Sequence, residues 1–427
     1  MIFNPGMPGT RLKWAFESCR NGAWGSEPDG ENDVVCIRAA DFDGQSGRLN
    51  AGERTLRSVD KTAFDKISLQ PGDLVMEKSG GGEKQLVGRT ALFDDDRPSV
   101  TSNFLARCRP AEEVDPAFLN YLMLAIYVGR GTYPHIKQST GIQNLDLGSY
   151  LDMRVRIPGL TVQQRVVRFL DEKTARIDAL IEKKRVLLDR LAEKRQTMIT
   201  HAVTSGLNPG VQMKPSGVEW LGEIPAHWNV RGLTKCTWRV DYRGATPEKA
   251  TIGVFLVTAK NIKGGRIDYE ASQEFVSEDI YEHAMRRGLP AIGDVLFTTE
   301  APLGEIAQVD RTDIALAQRV IKFSSSTRDL HNDYLAYWMM CSPFQAQIHS
   351  RSTGSTAIGL KASKIVDLPC LLPPVDEQIA IANEIKAGLE RFREAEAMVE
   401  RSLDQQIEYR SSLVSAAVTG KLPELNG

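Results

Sequence analysis

The residues that could do chemistry unaided are scattered, and their spacing fails. Gly80-Gly81-Gly82-Glu83-Lys84 is a glycine run ending in lysine, but it lacks the four-residue gap and the hydroxyl of a phosphate-cradling nucleotide loop. No Gly-x-Gly-x-x-Gly follows a strand-like run, and Asn4-Pro5-Gly6 is not the Asn/Asp-Pro-Pro-aromatic signature of an amino-methyltransferase. Asp73, Glu77 and Lys78 suggest a nuclease-type cluster, yet the matching stretch Asp294–Thr299 keeps only the aspartate. His135 and His201 stand alone, the usual mark of a structural or solvated imidazole. The six cysteines, at 19, 36, 108, 236, 341 and 370, form no Cys-x-x-Cys pair and no metal spacing. They read as reduced thiols filling small core positions. The expectation is a chain without catalysis, metal or resident cofactor.

What the residue types do favour is contact with phosphate. Loops rich in Gly, Ser, Thr, Lys and Arg approach a nucleic-acid backbone closely and supply main-chain and side-chain donors. In the first half these are Lys84, Arg89, Arg130, Lys137, Gln138, Ser139 and Thr140. In the second they are Arg351, Ser352, Thr353, Ser355 and Lys361, with Lys260 and Lys263. A solvated loop with incidental charge accounts for any single one of them equally well. Net charge lends no help: residues 1–160 carry 19 basic and 21 acidic side chains, and residues 206–375 carry 18 of each. Neither half is basic, so contact with nucleic acid requires charge gathered on one face or a partner that shares the load.

The elements that must position these residues are written twice. Arg195-Gln-Thr-Met198-Ile-Thr-His-Ala202-Val203-Thr204-Ser-Gly-Leu207 returns as Arg410-Ser-Ser-Leu413-Val-Ser-Ala-Ala417-Val418-Thr419-Gly-Lys-Leu422, offset by 215 residues. Asp152 and Ile157-Pro158 fall on Asp367 and Leu372-Pro373 at the same offset. Pro71-Gly72-Asp73-Leu74-Val75 matches Ile292-Gly293-Asp294-Val295-Leu296, Thr140-Gly141 matches Thr353-Gly354, and Ile37–Phe42 matches Val257–Ile262. The drifting offsets are those of loop insertions between matched strands. A chain of 427 residues suits two domains with extra helix. Strands are expected over Val34–Phe42, Asp73–Lys78 and Phe104–Arg109, and again over Phe255–Ile262, Asp294–Thr299 and Arg319–Ser324. One helix follows Asp115-Pro116 and its counterpart follows Asn332; their aromatics, from Phe118 to Leu122 and from Tyr334 to Trp338, read as core. Regular crossover helices are missing, which excludes a doubly wound sheet.

Two long helices close the halves. Thr161-x-x-Gln164 fits a capping box after Pro158, and Asp376 a cap after Pro373-Pro374. Val166, Leu170, Ile177, Leu180, Lys184, Leu187, Leu191 and Met198 alternate by three and four, a heptad seam. Ile385, Leu389, Phe392, Val399, Leu403, Leu413 and Ala417 repeat it, pairing Ile177 with Phe392, Leu188 with Leu403, and Met198 with Leu413 in register. Each helix spans about 40 residues, roughly 60 Å. Two long matched seams are best satisfied by packing on each other. The predicted fold class is α+β: two mixed α/β domains, each followed by a long helix, with the helices paired as an antiparallel coiled coil. The boundaries are 1–157, 158–206, 207–374 and 375–427.

Trp220-Leu-Gly-Glu-Ile-Pro-Ala-His-Trp228 opening the second half, Leu371-Leu-Pro-Pro-Val-Asp-Glu-Gln378 opening the last helix, and Leu413-Val-Ser-Ala-Ala-Val-Thr-Gly-Lys-Leu422 closing it resemble the specificity subunit of type I restriction-modification enzymes. The resemblance covers nearly the whole chain; the first half, beginning at Arg11-Leu-Lys-Trp14, lacks the Gly-Glu-Ile-Pro-x-His-Trp phrase. It implies that each globular half is a target recognition domain reading one part of a split, asymmetric site in double-stranded DNA. It further implies that the paired helices space the half-sites and dock two methyltransferase subunits. S-adenosylmethionine would then belong to those partners, with ATP and magnesium also on partner subunits, including a restriction subunit. No apolar run is long enough to span a bilayer and no secretory signal opens the chain, so a cytoplasmic protein without membrane contact is expected. The competing expectation is a duplicated coiled-coil scaffold that binds only protein, supported by the neutral charge of both halves.

Overall fold

In a computed structural model of the chain, residues 9–44, 46–81, 85–139, 141–242, 247–354, 358–365 and 368–425 are described. The chain forms two compact units, Met1–Lys184 with Arg401–Gly427, and Arg185–Glu400. Each unit is mixed helix and strand, and each takes one stretch of both long helices, Leu160–Ser205 and Val375–Val418.

The first unit is built on a four-stranded antiparallel sheet in the order Phe16–Asn21, Leu105–Pro110, Leu74–Glu77, Thr90–Leu92. The strand Leu74–Glu77 is buried on both faces, and side chains alternate across a strand. Leu74 and Met76 therefore join one core with Phe118, Leu122 and the long helices, while Val75 joins a second core with Val35, Ile37 and Phe93. A smaller sheet sets Asp33–Ile37 between Thr55–Ser58, antiparallel, and Ser99–Thr101, parallel. The expected strand 34–42 ends early because Arg38 and Asp41 cap a 3-10 turn at Ala39–Asp41.

The second unit repeats this plan. Its main sheet runs Thr237–Asp241, Val320–Ser325, Val295–Thr299, Leu303–Gln308, and its smaller sheet pairs Val254–Val257 with Phe275–Val276 and, in parallel, with Ile314–Leu316. Thr258 and Asn261 cap the 3-10 turn that answers Arg38 and Asp41. The two matched Gly-Asp turns also do one job. Gly72 and Gly293 adopt positive φ, and the Asp73 and Asp294 carboxylates accept from the backbone N–H of Gln70 and Ala291, both at 2.9 Å. Each carboxylate is buried and paired, Asp73 with Arg109 at 2.9 Å and Asp294 with Lys322 at 2.6 Å.

The helix matching Asp115-Pro116 spans Pro116–Val128, and its counterpart spans Asn332–Met340. Phe118, Leu119, Tyr121 and Leu122, and likewise Tyr334, Leu335, Tyr337 and Trp338, are buried. Both helices are tied to the start of a long helix by glutamine. Gln163 accepts from the Asp115 N–H at 2.8 Å and donates to the Pro158 and Glu113 carbonyls at 2.8 and 3.2 Å. Gln378, 215 residues on, accepts from the His331 N–H at 2.8 Å and donates to the Asp329 and Pro373 carbonyls at 2.7 and 2.8 Å. This corrects the expected capping box: the helix starts at Leu160, so Thr161 already lies in its first turn, and the buried Gln163, not Gln164, does the tying.

Within each unit the helices run antiparallel. In the first, Val166 and Leu170 share a core with Val414, Ala417 and Val418, Asp178 accepts from Arg410 at 2.7 and 3.2 Å, and Lys184 Nζ donates to the Ser402 carbonyl at 3.2 Å. In the second, Ile199 and Ala202 pack with Ile381 and Ile385, and Arg195 reaches Glu396 at 3.2 Å. Gly388 admits the close approach of Met198, whose Sδ would lie 2.4 Å from a Cβ there. Leu170, Ile177, Ile385 and Leu389 are buried, while Leu188, Leu191, Met198, Phe392, Val399, Leu403 and Leu413 are half-buried. Leu180 and Leu187 are off the seam, 46% and 44% exposed, because the contact steps from Ile177 to Ile181, four residues on, and so turns that face outward.

Candidate nucleic-acid interface

In both units the predicted phosphate-contacting segment leads into the same anchored backbone position. Leu145 N–H donates to the Lys78 carbonyl at 2.7 Å, and Leu360, 215 residues later, donates to the Thr299 carbonyl at 2.9 Å. The segments before these anchors differ. In the first unit Ile136–Ser139 and Ile142–Leu145 form an antiparallel hairpin that adds to Ser79–Gly80. Gly141 turns it with positive φ. In the second unit a loop follows the helix Ser342–Ser350 and closes with Thr353 and Gly359 exchanging backbone bonds at 3.0 Å.

On the hairpin, Lys137 projects outward with its side chain 78% exposed, and its ammonium lies 2.7 Å from Asp146. That lysine holds the Asp146 carboxyl below the usual carboxylate range. Gln138 sits beside it, opposite Gln143, which is buried and accepts from the Val87 N–H at 3.2 Å. Arg130 follows the helix Pro116–Val128 in left-handed conformation and stacks its guanidinium over Tyr133 at 5.4 Å. His135 Nδ1 lies 2.9 Å from Ser149 Oγ, and burial pulls its pKa down. Burial likewise lowers the pKa of Lys78 at the hairpin base. Ser139 ends the strand, while Lys84, Thr140 and Ser355 lie outside the described residues.

Arg89 behaves differently from the others. Its guanidinium meets the buried Glu77 carboxylate at 3.2 and 3.3 Å, donates to the Ala39 carbonyl at 3.2 Å and packs over Phe42 at 5.1 Å. It holds the loop from within, and with Asp73 committed to Arg109 this dissolves the Asp73–Glu77 nuclease cluster.

In the second unit Lys260 is exposed on the 3-10 turn Ala259–Asn261, and Lys263 on a hairpin opposite Arg266. Asn261 holds this region by donating to the Asp268 and Ser272 carbonyls at 2.8 Å. Arg351 ends the helix Ser342–Ser350, and its Nη1 is buried with no acceptor among the described residues. Ser352 donates to the His349 carbonyl at 2.6 Å, and Lys361 is exposed beyond Leu360. Sequence reading passed over Tyr133, 61% exposed beneath Arg130, because its aromatic ring carried no periodic signal. Its place between Gly131 and Pro134, in a stretch unable to continue a helix, was the available sign.

Among the described residues no group of three His, Cys, Asp or Glu side chains could hold a metal, and no helix is long and apolar enough to cross a membrane. All six cysteines are free; Cys19 and Cys108 face each other across the first sheet.

The arrangement is that of a duplicated α+β protein presenting two variant segments on one repeated framework. No family model matches the chain. It is 22% identical over 314 residues to the type I restriction enzyme MjaVIII specificity subunit of Methanocaldococcus jannaschii, covering 71% of this chain and 70% of that one. It is 20% identical over 368 residues to the type I restriction enzyme EcoKI specificity subunit of Escherichia coli, covering 83% and 75%. Among solved structures, a chain of a type I restriction-modification system, described in connection with complex assembly and conformational transition, shares the fold with TM-score 0.68 at 14% identity, covering 98% of this chain and 99% of that one. The chain shares its fold with a chain of a type I restriction-modification system, and the relatives it resembles in sequence are type I restriction enzyme specificity subunits.

Proposed function

We propose that the chain recognises a bipartite, asymmetric site in double-stranded DNA, one half-site per unit, and carries that recognition to two methyltransferase subunits and, in the full enzyme, to restriction subunits. The observation that carries this reading is the pair of anchors at Leu145 and Leu360: one repeated framework delivers two different exposed segments to equivalent positions. A scaffold needing only duplicated docking surfaces has no use for such divergence, whereas two half-sites of different sequence require it. The near-neutral charge fits a subunit whose phosphate attraction is shared with partners. S-adenosylmethionine, ATP and magnesium would act on those partners.

The test compares duplex binding by this chain alone with binding by its complex with a methyltransferase subunit, followed by sequencing of methylated genomic DNA. A split methylated motif is expected. No shift in either form would favour the protein-binding scaffold.

A further inference from the structure

The second unit contains a cleft of about 330 Å³ bounded by both long helices, the Lys263–Gly265 turn and the helix Ser342–Ser350. Its lining joins the buried apolar side chains of Ile199, Ile306 and Leu389, which form its floor, to the polar Gln196, Gln345 and His349. Its mouth carries Arg195, Arg393 and Lys263. Glu305 is the one lining carboxylate, and it accepts from the Gly264 N–H at 3.2 Å. Arg195 pairs with Glu396 and Arg393 with Glu390, but their side chains stay 38% and 41% exposed. Among the described residues Lys263 has no ion-pair partner.

The duplication makes this charge informative. Arg195 matches Arg410 at the 215-residue offset, and in the first unit Arg410 is buried, donating to Asp178 and to the Ser46 carbonyl at 3.3 Å. The position matching Asp178 is Arg393, so the second unit has arginine where the first has that arginine's own carboxylate. Lys263 likewise matches Asp43, at the 220-residue offset of the Ile37–Phe42 match. By strand register Glu305 takes the position that Arg89 holds in the first unit, a change in the other direction. Two acids have become bases around an arginine that is left facing a cleft.

We propose that this cleft binds a nucleoside phosphate, its base on the apolar floor and its phosphate between Lys263 and Arg393. A flat apolar group joined to an anion is what an apolar floor with a cationic mouth selects, and the volume lies in the range of small-ligand pockets and suits one nucleotide. Arginine and lysine are the side chains that hold phosphate, by paired donors and by point charge.

The test titrates the purified full chain with nucleoside monophosphates and triphosphates by calorimetry, with inorganic phosphate and a duplex as competitors. Saturable binding is expected, weakened at least tenfold in Arg393→Asp and in Lys263→Asp, which restore the charges of the first unit. Inorganic phosphate should compete only weakly. Both positions are solvent-facing, and thermal melts unchanged from the parent would show that the variants fold; Arg393→Gln, with a smaller charge change, gives a second reading. Absence of saturable binding, unchanged affinity in the folded variants, or equal competition by inorganic phosphate would overturn the proposal. Full displacement by duplex would also overturn it, by making the cleft part of the DNA-contacting surface.

Discussion

At the scale of single residues, basic side chains that look alike in sequence are separated by what surrounds them. Lys137 is solvent-facing beside a half-buried carboxylate, so a phosphate can compete for it at small cost. Lys137→Ala and Arg351→Ala are expected to weaken duplex binding by the complex while leaving stability within about 0.5 kcal/mol. If Lys137 contacts phosphate, all sequences weaken alike; if it reads a base, one position of the motif relaxes. Unchanged affinity and specificity in both variants would remove these segments from the interface. Arg89→Ala should behave oppositely, costing about 3–5 kcal/mol in urea unfolding because Glu77 is left buried and unpaired. The glutamines make a similar contrast. Gln163→Ala strips three backbone partners and should cost about 2–4 kcal/mol, whereas Gln164→Ala, on the exposed side of the same turn, should be nearly silent. Equal effects would return the capping role to Gln164.

At the scale of elements, the long helices illustrate how a heptad count can be right in number and wrong in phase. Ile181 is 7% exposed where Leu180 is 46% exposed. Ile181→Ala should cost about 2–4 kcal/mol through the cavity it leaves, and Leu180→Ala should leave the melting temperature of the chain unchanged. A loss of methyltransferase binding in Leu180→Ala at unchanged stability would mark the outward face as a docking surface. Because the helices pair in each unit, lengthening must be matched. Seven residues inserted after both Lys184 and Glu400 preserve the seam and add about 10 Å to each helix. With half-sites spaced by these helices, the methylated motif should keep both half-sites while the gap grows by roughly three base pairs. An unchanged gap would refute helix-set spacing.

For the whole molecule, the duplication has a consequence for specificity. Each unit has its own hydrophobic cores and its own anchored segment, so each should determine its own half-site. Replacing residues 1–157 with the equivalent half of a relative should alter one half of the methylated motif and leave the other. Alteration of both halves on sequencing would show that the units do not read independently.

The duplication, the α+β class and the two long helices were legible in the chain because the roles that recur depend on fixed spacing. Gln163 and Gln378, and Leu145 and Leu360, keep the 215-residue offset, and the Gly-Asp turns keep their dipeptide, since each holds a fixed place in the repeated framework. The same logic hid the rest. After Ile177 a step of three and a step of four both reach a hydrophobic residue, and only the partner helix decides between Leu180 and Ile181. The fate of a charge is likewise set across space: Arg89 meets Glu77 on a neighbouring strand, and Arg410 meets Asp178 across 232 residues of chain, while its matching arginine at 195 faces a cleft. Local spacing is carried by the sequence, but phase, partner and exposure arise only when distant segments pack.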